Sequence, residues 1–238
     1  TDGFPRQKLE PIGTTGVWAA VTTLSDGTAA RYSYNIDGRR IGLFNVVAAP
    51  GWISAAVTIL AFDALSWAWH RANHVVPFLW RFHAVHHSDP AFDATTSFRF
   101  HPGELVLSLP VRIALVLALG APVAAILVFE MIFGFFNLFV HGNLRLPRAA
   151  ESVLEMALVH PALHRVHHSR VLDESNRNFG TIFSIWDRLF GTLLPSRSER
   201  EVGIGIASVP PEQVAGLLGQ LQLPLRRGAC PAWHPENR

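Results

Sequence analysis

An all-α, integral-membrane helical bundle with a cytoplasmic histidine-rich cap holding a dinuclear metal site is the fold class this sequence predicts. Three observations predict it. Hydrophobic residues make up 49% of the 238 and charged residues only 16%, with a mean hydropathy of +0.24, too apolar for an ordinary soluble domain. Two apolar stretches, Trp52 to Trp69 and Leu105 to Val140, are long enough to cross a bilayer. Histidines gather outside these stretches instead of along them, as H-R-A-N-H at 70–74, H-A-V-H-H at 83–87 and H-R-V-H-H at 164–168.

Residues 1–41, rich in Gly, Thr, Asp and Arg and without a spanning apolar run, form an extramembrane or poorly ordered lead-in. No cationic start followed by an apolar core opens the chain, so no signal peptide is expected, and Thr1 fits a truncated or processed start. A membrane domain is expected over 42–195. In it Pro50-Gly51 separates a short apolar approach, Gly42 to Ala49, from the first span, Trp52 to Trp69, which ends in His70 and His74. Asp63 lies about two helical turns before His70, on the same face. It is either a partner that orients an imidazole or relays protons, or an acid satisfied by Ser66 or a neighbouring helix.

Residues 70–101 are polar and carry Arg71, Arg81 and Arg99, which places this face in the cytoplasm. Leu105 to Val140 is too long for one span. Gly120-Ala121-Pro122 breaks it into a hairpin that enters and returns on the same side, its first arm tilted or partly spanning. His141 therefore emerges beside the earlier clusters, and Arg145 and Arg148 agree with that orientation. Asn137 precedes His141 by one turn and is a weaker or water-mediated ligand candidate. Glu130 is expected to pair with Arg112 across the hairpin.

A helix from Glu151 to Val159 is followed by His160-Pro161 and a new helical start carrying the last cluster. Pro161 disturbs the helix between His160 and His164, leaving His160 beside the site or in solvent. His101, Asn143 and Asn178 complete the candidates for additional ligands or outer partners. Thr181 to Leu194 suits an interfacial helix. Residues 196–238 form a C-terminal extension in which Pro210-Pro211-Glu212 opens a short amphipathic helix to about Leu221. The tail from Pro224 is polar, and His234 in it is solvated.

At helical spacing each cluster projects its imidazoles from one face, so each is a multidentate ligand candidate. Four ligands suffice for one structural zinc; His70, His74, His83, His86, His87, His141, His164, His167 and His168 number nine, enough for two ions with open coordination positions. Imidazole suits zinc, copper, iron and nickel. A site just beneath the membrane surface lets a lipid reach it from the bilayer, and no catalytic group beyond the metal ligands is expected. Composition excludes much else. Cys230 is the only cysteine, so neither an intrachain disulfide nor cysteine ligation is expected. Lys8 is the only lysine and lies in a polar stretch, which disfavours Schiff-base chemistry. The arginines are scattered despite a pI of about 9.2, so no nucleic-acid partner is expected. Two rivals stand beside the enzyme reading: a membrane acyltransferase using the H-x4-D pair His168 and Asp173, and a metal-binding or metal-transport protein without catalysis. Transport calls for polar groups along the spans, whereas these sit at helix ends.

The boxes His70/His74, His83/His86/His87 and His164/His167/His168 resemble those of the sterol desaturase and fatty acid hydroxylase superfamily of membrane di-iron oxygenases. Further matching stretches are Leu79 to His83, Arg99 to Pro102, His141 to Pro147, Asn178 to Gly180 and Trp186 to Thr192. The resemblance implies two histidine-held irons, replaceable by zinc in a preparation, with O2 as oxidant and an external electron-transfer protein or reductase as donor. It implies hydroxylation, or desaturation, at a C–H bond of a fatty-acyl, alkyl or sterol-like lipid within the bilayer. A bacterial inner-membrane location with the metals facing the cytoplasm is expected.

Overall fold

The computed structural model describes residues 10–11, 17–22, 31–36, 39–47, 49–195 and 202–226, with side chains described from Ile41 onward. Lys8, Cys230 and His234 lie outside the described residues. In the lead-in, β1 (Glu10–Pro11), β2 (Val17–Thr22), β3 (Arg31–Ile36) and β4 (Arg39–Ile41) form an antiparallel meander in chain order. Val17 is registered with Ile36 and Tyr34 with Ile41. Lead-in strands were no part of the expectation, because runs of six residues or fewer, such as Val17–Thr22, are too short to span a bilayer.

The regular elements that follow are helical. They are α1 (Leu43–Val46), α2 (Gly51–Val75), α3 (Pro77–His87), α4 (Pro102–Leu119), α5 (Val123–His141), α6 (Arg148–Glu155), α7 (Pro161–His167), α8 (Leu172–Ser175), α9 (Ile185–Leu189) and α10 (Leu217–Gln222). Helices α2, α4 and α5 are each long and apolar enough to cross a membrane, and the protein is an integral membrane protein. The chain divides into two compact units, Thr1–Phe62 with Pro110–Met131, and Asp63–Leu109 with Ile132–Arg238.

The first unit contains the turn of the predicted hairpin. Gly120 has φ +62 and Gly42 φ +93, and a Cβ on Gly42 would collide with the Gly120 backbone, so glycine is required for this close approach. The Arg112 guanidinium pairs with Glu130 between α4 and α5, as expected, and lies over the Phe62 ring at 5.7 Å. An intramembrane charge is costly unless partnered, and here each charge supplies the other's partner.

The second unit holds every candidate ligand. Its core packs Trp80, Ala84 and Val85 of α3 against Ile206, Val209, Val214 and Leu223; a smaller cluster joins Val140, Val159 and Leu163. Three expected helices are shorter than predicted. Helix α6 stops at Glu155, because Leu158 and Val159 pair with the 182–183 backbone instead, with Val159 N–H donating to Ile182 O at 2.9 Å. The stretch 181–194 forms only the five-residue α9. Its Asp187 is fully buried instead of sitting at headgroup level, and Gly191 at φ +68 ends the turn. The C-terminal helix starts as a 3-10 turn, Pro211–Gln213, and becomes α-helical only at Leu217, after an extended Gly216.

Candidate metal centre

The site is built by a reversal of chain direction. Val76 precedes Pro77, whose ring disfavours helical backbone at the residue before it; Val76 is extended (ψ 111) and Pro77 opens α3. This folds α3 against the end of α2, so that the His74 ring lies 5.1 Å from His83 and 4.7 Å from His87, centroid to centroid. Helix α5 ends in His141, and α7, opened by Pro161, brings His164, His167 and His168.

All nine predicted histidines converge, in two groups that could each hold a metal ion. One group is His70, His74, His83, His87 and His167; the other is His86, His141, His164 and His168. The box His70/His74 stays together as one multidentate candidate, whereas the two H-x-x-H-H boxes are divided by this partition. In both H-x-x-H-H boxes the i and i+4 residues share a group and the i+3 residue joins the other. Residues i and i+4 are offset by about 40° around a helix, whereas i+3 lies about 60° to the other side. Each H-x-x-H-H box therefore bridges the two groups.

The hydrogen bonds establish which ring nitrogens face inward. A carbonyl oxygen can only accept, so the Nδ1–H of His70 donates to Phe179 O (2.7 Å), that of His167 to Arg177 O (2.7 Å) and that of His141 to Asn137 O (2.7 Å). His83 Nδ1 donates to Glu104 Oε1 at 2.9 Å. Lone pairs then sit on Nε2 of these four rings, and Nε2 atoms across the cluster face one another: His70 and His167 at 2.9 Å, His141 and His164 at 3.1 Å, His141 and His86 at 3.2 Å, His141 and His168 at 3.3 Å. His74 and His87 Nε2 are 3.1 Å apart, and buried His83 Nε2 has no hydrogen-bond partner among the described residues. Lone pairs aimed at one another repel unless a cation lies among them. Two imidazole nitrogens bound at right angles, about 2.0–2.1 Å from one ion, sit roughly 2.9 Å apart. The donor set thus fits transition-metal ions in both groups.

Burial keeps the rings of His86, His87, His164, His167 and His168 neutral, as metal ligation requires. It pushes His86, His87, His164 and His168 well below the ordinary imidazole value, reinforced by neighbouring histidines. His167 is pushed down to about 3, chiefly by burial.

The other predicted candidates lie outside both groups. The Asn137 side chain donates to Ser97 O at 2.9 Å, and it is the Asn137 carbonyl that orients His141. Asn143 is exposed and accepts from Arg165 at 3.0 Å. His101 accepts from Gly103 N–H at 2.9 Å and its Nε2 lies 3.3 Å from Leu221 O. Asn178, at φ +56, ties the Leu163 carbonyl to Leu194. His160 is fully buried, which excludes the solvent alternative, and its Nε2 lies 3.7 Å from Glu155 Oε2. Asp63 is buried and accepts from Trp186 Nε1 at 2.7 Å and from Phe183 N–H at 3.4 Å. These partners lie in the 183–186 segment, and among the described residues neither bond is to an imidazole. The H-x4-D pair does not form, since His168 Nε2 faces His141 while Asp173 is exposed.

Several positioning groups carried no sequence signal beyond residue type. Glu104, buried in the first turn of α4, accepts from both His83 Nδ1 and Asn73 Nδ2 (2.8 Å). An acid immediately after His101-Pro102-Gly103, opening an apolar span, was the available hint. Asp187 accepts from Phe179 N–H (3.0 Å), Gly180 N–H (2.8 Å), Trp67 Nε1 (3.0 Å) and Thr192 Oγ1 (2.6 Å), fixing the turn whose carbonyl holds His70. Phe92, at φ +46 and buried, lies 4.8 Å from His168 on one side and 4.6 Å from the Arg165 guanidinium.

A sequence model described as fatty acid hydroxylase matches residues 55–192. An ornithine lipid hydroxylase (OlsE) of Rhizobium tropici is 34% identical over 158 residues, covering 66% of this chain and 46% of the relative. An alkylglycerol monooxygenase of Danio rerio is 31% identical over 157 residues, covering 64% and 34% respectively. A cholesterol 25-hydroxylase of Rattus norvegicus is 29% identical over 139 residues, covering 58% and 45%. The matched region spans less than half the length of each of these relatives. No solved structure matches the chain.

Proposed function

The chain belongs to the fatty acid hydroxylase family, and from that premise we propose that its nine clustered histidines hold two iron ions and that it hydroxylates a C–H bond of a membrane lipid. The observation that carries this reading is the convergence of lone-pair-bearing Nε2 atoms into a five-histidine and a four-histidine group. When bound, the irons would supply O2 activation for the overall conversion of R–H, O2, two electrons and two protons to R–OH and water.

The protein's own groups do the positioning. Three backbone carbonyls and Glu104 hold four rings in the tautomer that presents Nε2 inward. Phe179 and Phe92 are buried against the rings and keep bulk water from them. Four ligands on one side and five on the other leave the four-histidine group the more open for O2 and substrate.

The substrate class we propose is a lipid with a fatty-acyl, alkyl or sterol-like body, with desaturation as a branch of the same chemistry. The relatives' names, spanning an ornithine lipid, an alkylglycerol and cholesterol, support a lipid and not one headgroup. Electrons come from an external electron-transfer protein or reductase. Arg71, Arg81, Arg99, Arg145 and Arg148 flank the ligand-bearing segments, supporting a bacterial inner-membrane orientation with the metals on the cytoplasmic side.

The test is lipid profiling of cells with and without the active protein under 18O2. A lipid gaining one 18O atom, lost in His167→Ala, is the expected result. Acyl transfer that survives metal removal would overturn the reading; zinc in a purified sample would not, since imidazole sites accept it readily.

A further inference from the structure

The C-terminal segment beyond the family match carries a surface the proposed chemistry does not use. Helix α10 and the 3-10 turn after it, Leu223–Leu225, expose Leu217 (72%), Leu218 (67%) and Leu225 (81%) within nine residues. Soluble surfaces seldom concentrate large aliphatic side chains in this way. The segment is not loosely attached. Val214 and Leu223 are fully buried against Trp80, Ala84 and Val85 of α3. Arg99 donates to Val214 O at 2.9 Å, and His101 Nε2 lies 3.3 Å from Leu221 O.

These attachments place the segment at one level of the second unit. Arg99 and His101 immediately precede Pro102, where the apolar span α4 begins. Around that point Phe98, Leu105 and Val106 are also exposed, so the leucines continue the apolar surface of a span instead of forming an isolated patch. Arg226 follows Leu225, and Arg81 is exposed on α3, a charge distribution suited to lipid phosphates.

We propose that the segment from Leu217 to Leu225 lies in the plane of the membrane, its leucines immersed at the boundary between headgroups and acyl chains. By its buried side it would fasten α3, which carries His83, His86 and His87, at the bilayer surface. The inference rests on the membrane location and not on the oxygenase chemistry, so it stands or falls separately.

The test uses the full chain in nanodiscs with Cys230→Ser as background and a bimane label at Leu218→Cys, Leu225→Cys or exposed Glu212→Cys. Quenching is read with phosphatidylcholine carrying a doxyl group at acyl position 5 or 12. Labels at 218 and 225 should be quenched by the 5-doxyl lipid at least threefold more strongly than the label at 212, and more strongly than by the 12-doxyl lipid. Equal quenching at 218, 225 and 212 would overturn the proposal. So would disulfide formation between Leu218→Cys chains with no lipid quenching, which would assign the face to a second copy. If one labelled variant does not elute as folded protein, the other carries the same measurement.

Discussion

The two histidine groups are held in different ways. In the five-histidine group, His70, His83 and His167 each donate Nδ1–H to a carbonyl or carboxylate. In the four-histidine group only His141 does so, and the buried Nδ1 atoms of His86, His164 and His168 have no hydrogen-bond partner among the described residues. Those rings are set by stacking instead, His86 on Phe100 (4.6 Å, 7° between planes) and His168 on His87 (4.3 Å, 17°). A hydrogen bond fixes tautomer and ring angle, whereas a stack fixes only the ring plane. The five-histidine group is therefore the rigid half and the four-histidine group the adaptable one.

The largest effects should come from removing a ligand on either side. On the proposed two-iron hydroxylase reading, His167→Ala and His86→Ala are each expected to lower iron content from two ions toward one per chain, measured by elemental analysis, and to reduce hydroxylation by at least ~100-fold, beyond what an outer partner costs. Retention of both irons by His86→Ala alone would show that the stacked ring is no ligand. Next, Glu104→Ala should weaken metal retention against a chelator by about 10- to 100-fold, with Glu104→Gln milder because it keeps the side-chain shape. If Glu104→Ala releases no metal faster than wild type, the rigid half does not owe its rigidity to the carboxylate.

Acid tests what the two halves share. Burial pushes His167 down to about 3 in the folded, metal-free protein, against about 6.5 unfolded, and pushes His86, His87, His164 and His168 in the same direction. Between those values the unfolded chain binds protons that the folded chain does not. The stabilising contribution is thus complete above about pH 6.5 and is lost as pH falls toward about 3. Denaturation midpoints of metal-free protein should drop between pH 7.5 and pH 5; an unchanged midpoint would contradict buried neutral rings.

Smaller still, Phe100→Leu should cost about 0.5–1.5 kcal/mol of stacking at His86, read as a lowered melting temperature and faster metal loss from one of the two ions only. Loss of both ions at the same rate would remove the distinction between the halves. Asp173→Asn should change hydroxylation by less than about twofold, as for an exposed residue remote from the groups. A large loss would revive a role for the H-x4-D pair.

Legibility followed the range of the interaction. Arg112 and Glu130 could be paired from the hairpin alone, because two adjacent antiparallel apolar helices leave a charge few partners. Asp63 could be judged to need a partner, yet Trp186 lies 123 residues away and no spacing rule reaches it. Phe179, Arg177 and Asn137 orient imidazoles through their carbonyls, which every residue possesses, so side-chain identity carries no trace of the role. Asn143 and Asn178 were plausible ligands by type and were engaged elsewhere. The short α6 and α9 lost residues to backbone pairing between 158–159 and 182–183, a long-range competitor that helical propensity does not register.

By itself the sequence determined that nine histidines would meet at the ends of apolar helices. Spacing on a helix and the length of a span are local quantities, set within a few turns of chain. The same spacing sets the i+3 ring about 60° from i on the side away from i+4, an arc narrow enough to serve one ion or two. Only the tertiary structure decided that the pair His83 and His87 joins the five-histidine group while His164 and His168 join the four. That choice depends on how α3 folds back at Val76-Pro77 and how α7 is seated by Asn178, contacts between segments distant in sequence. Which lone pair faces which ion depends likewise on partners brought close only by packing.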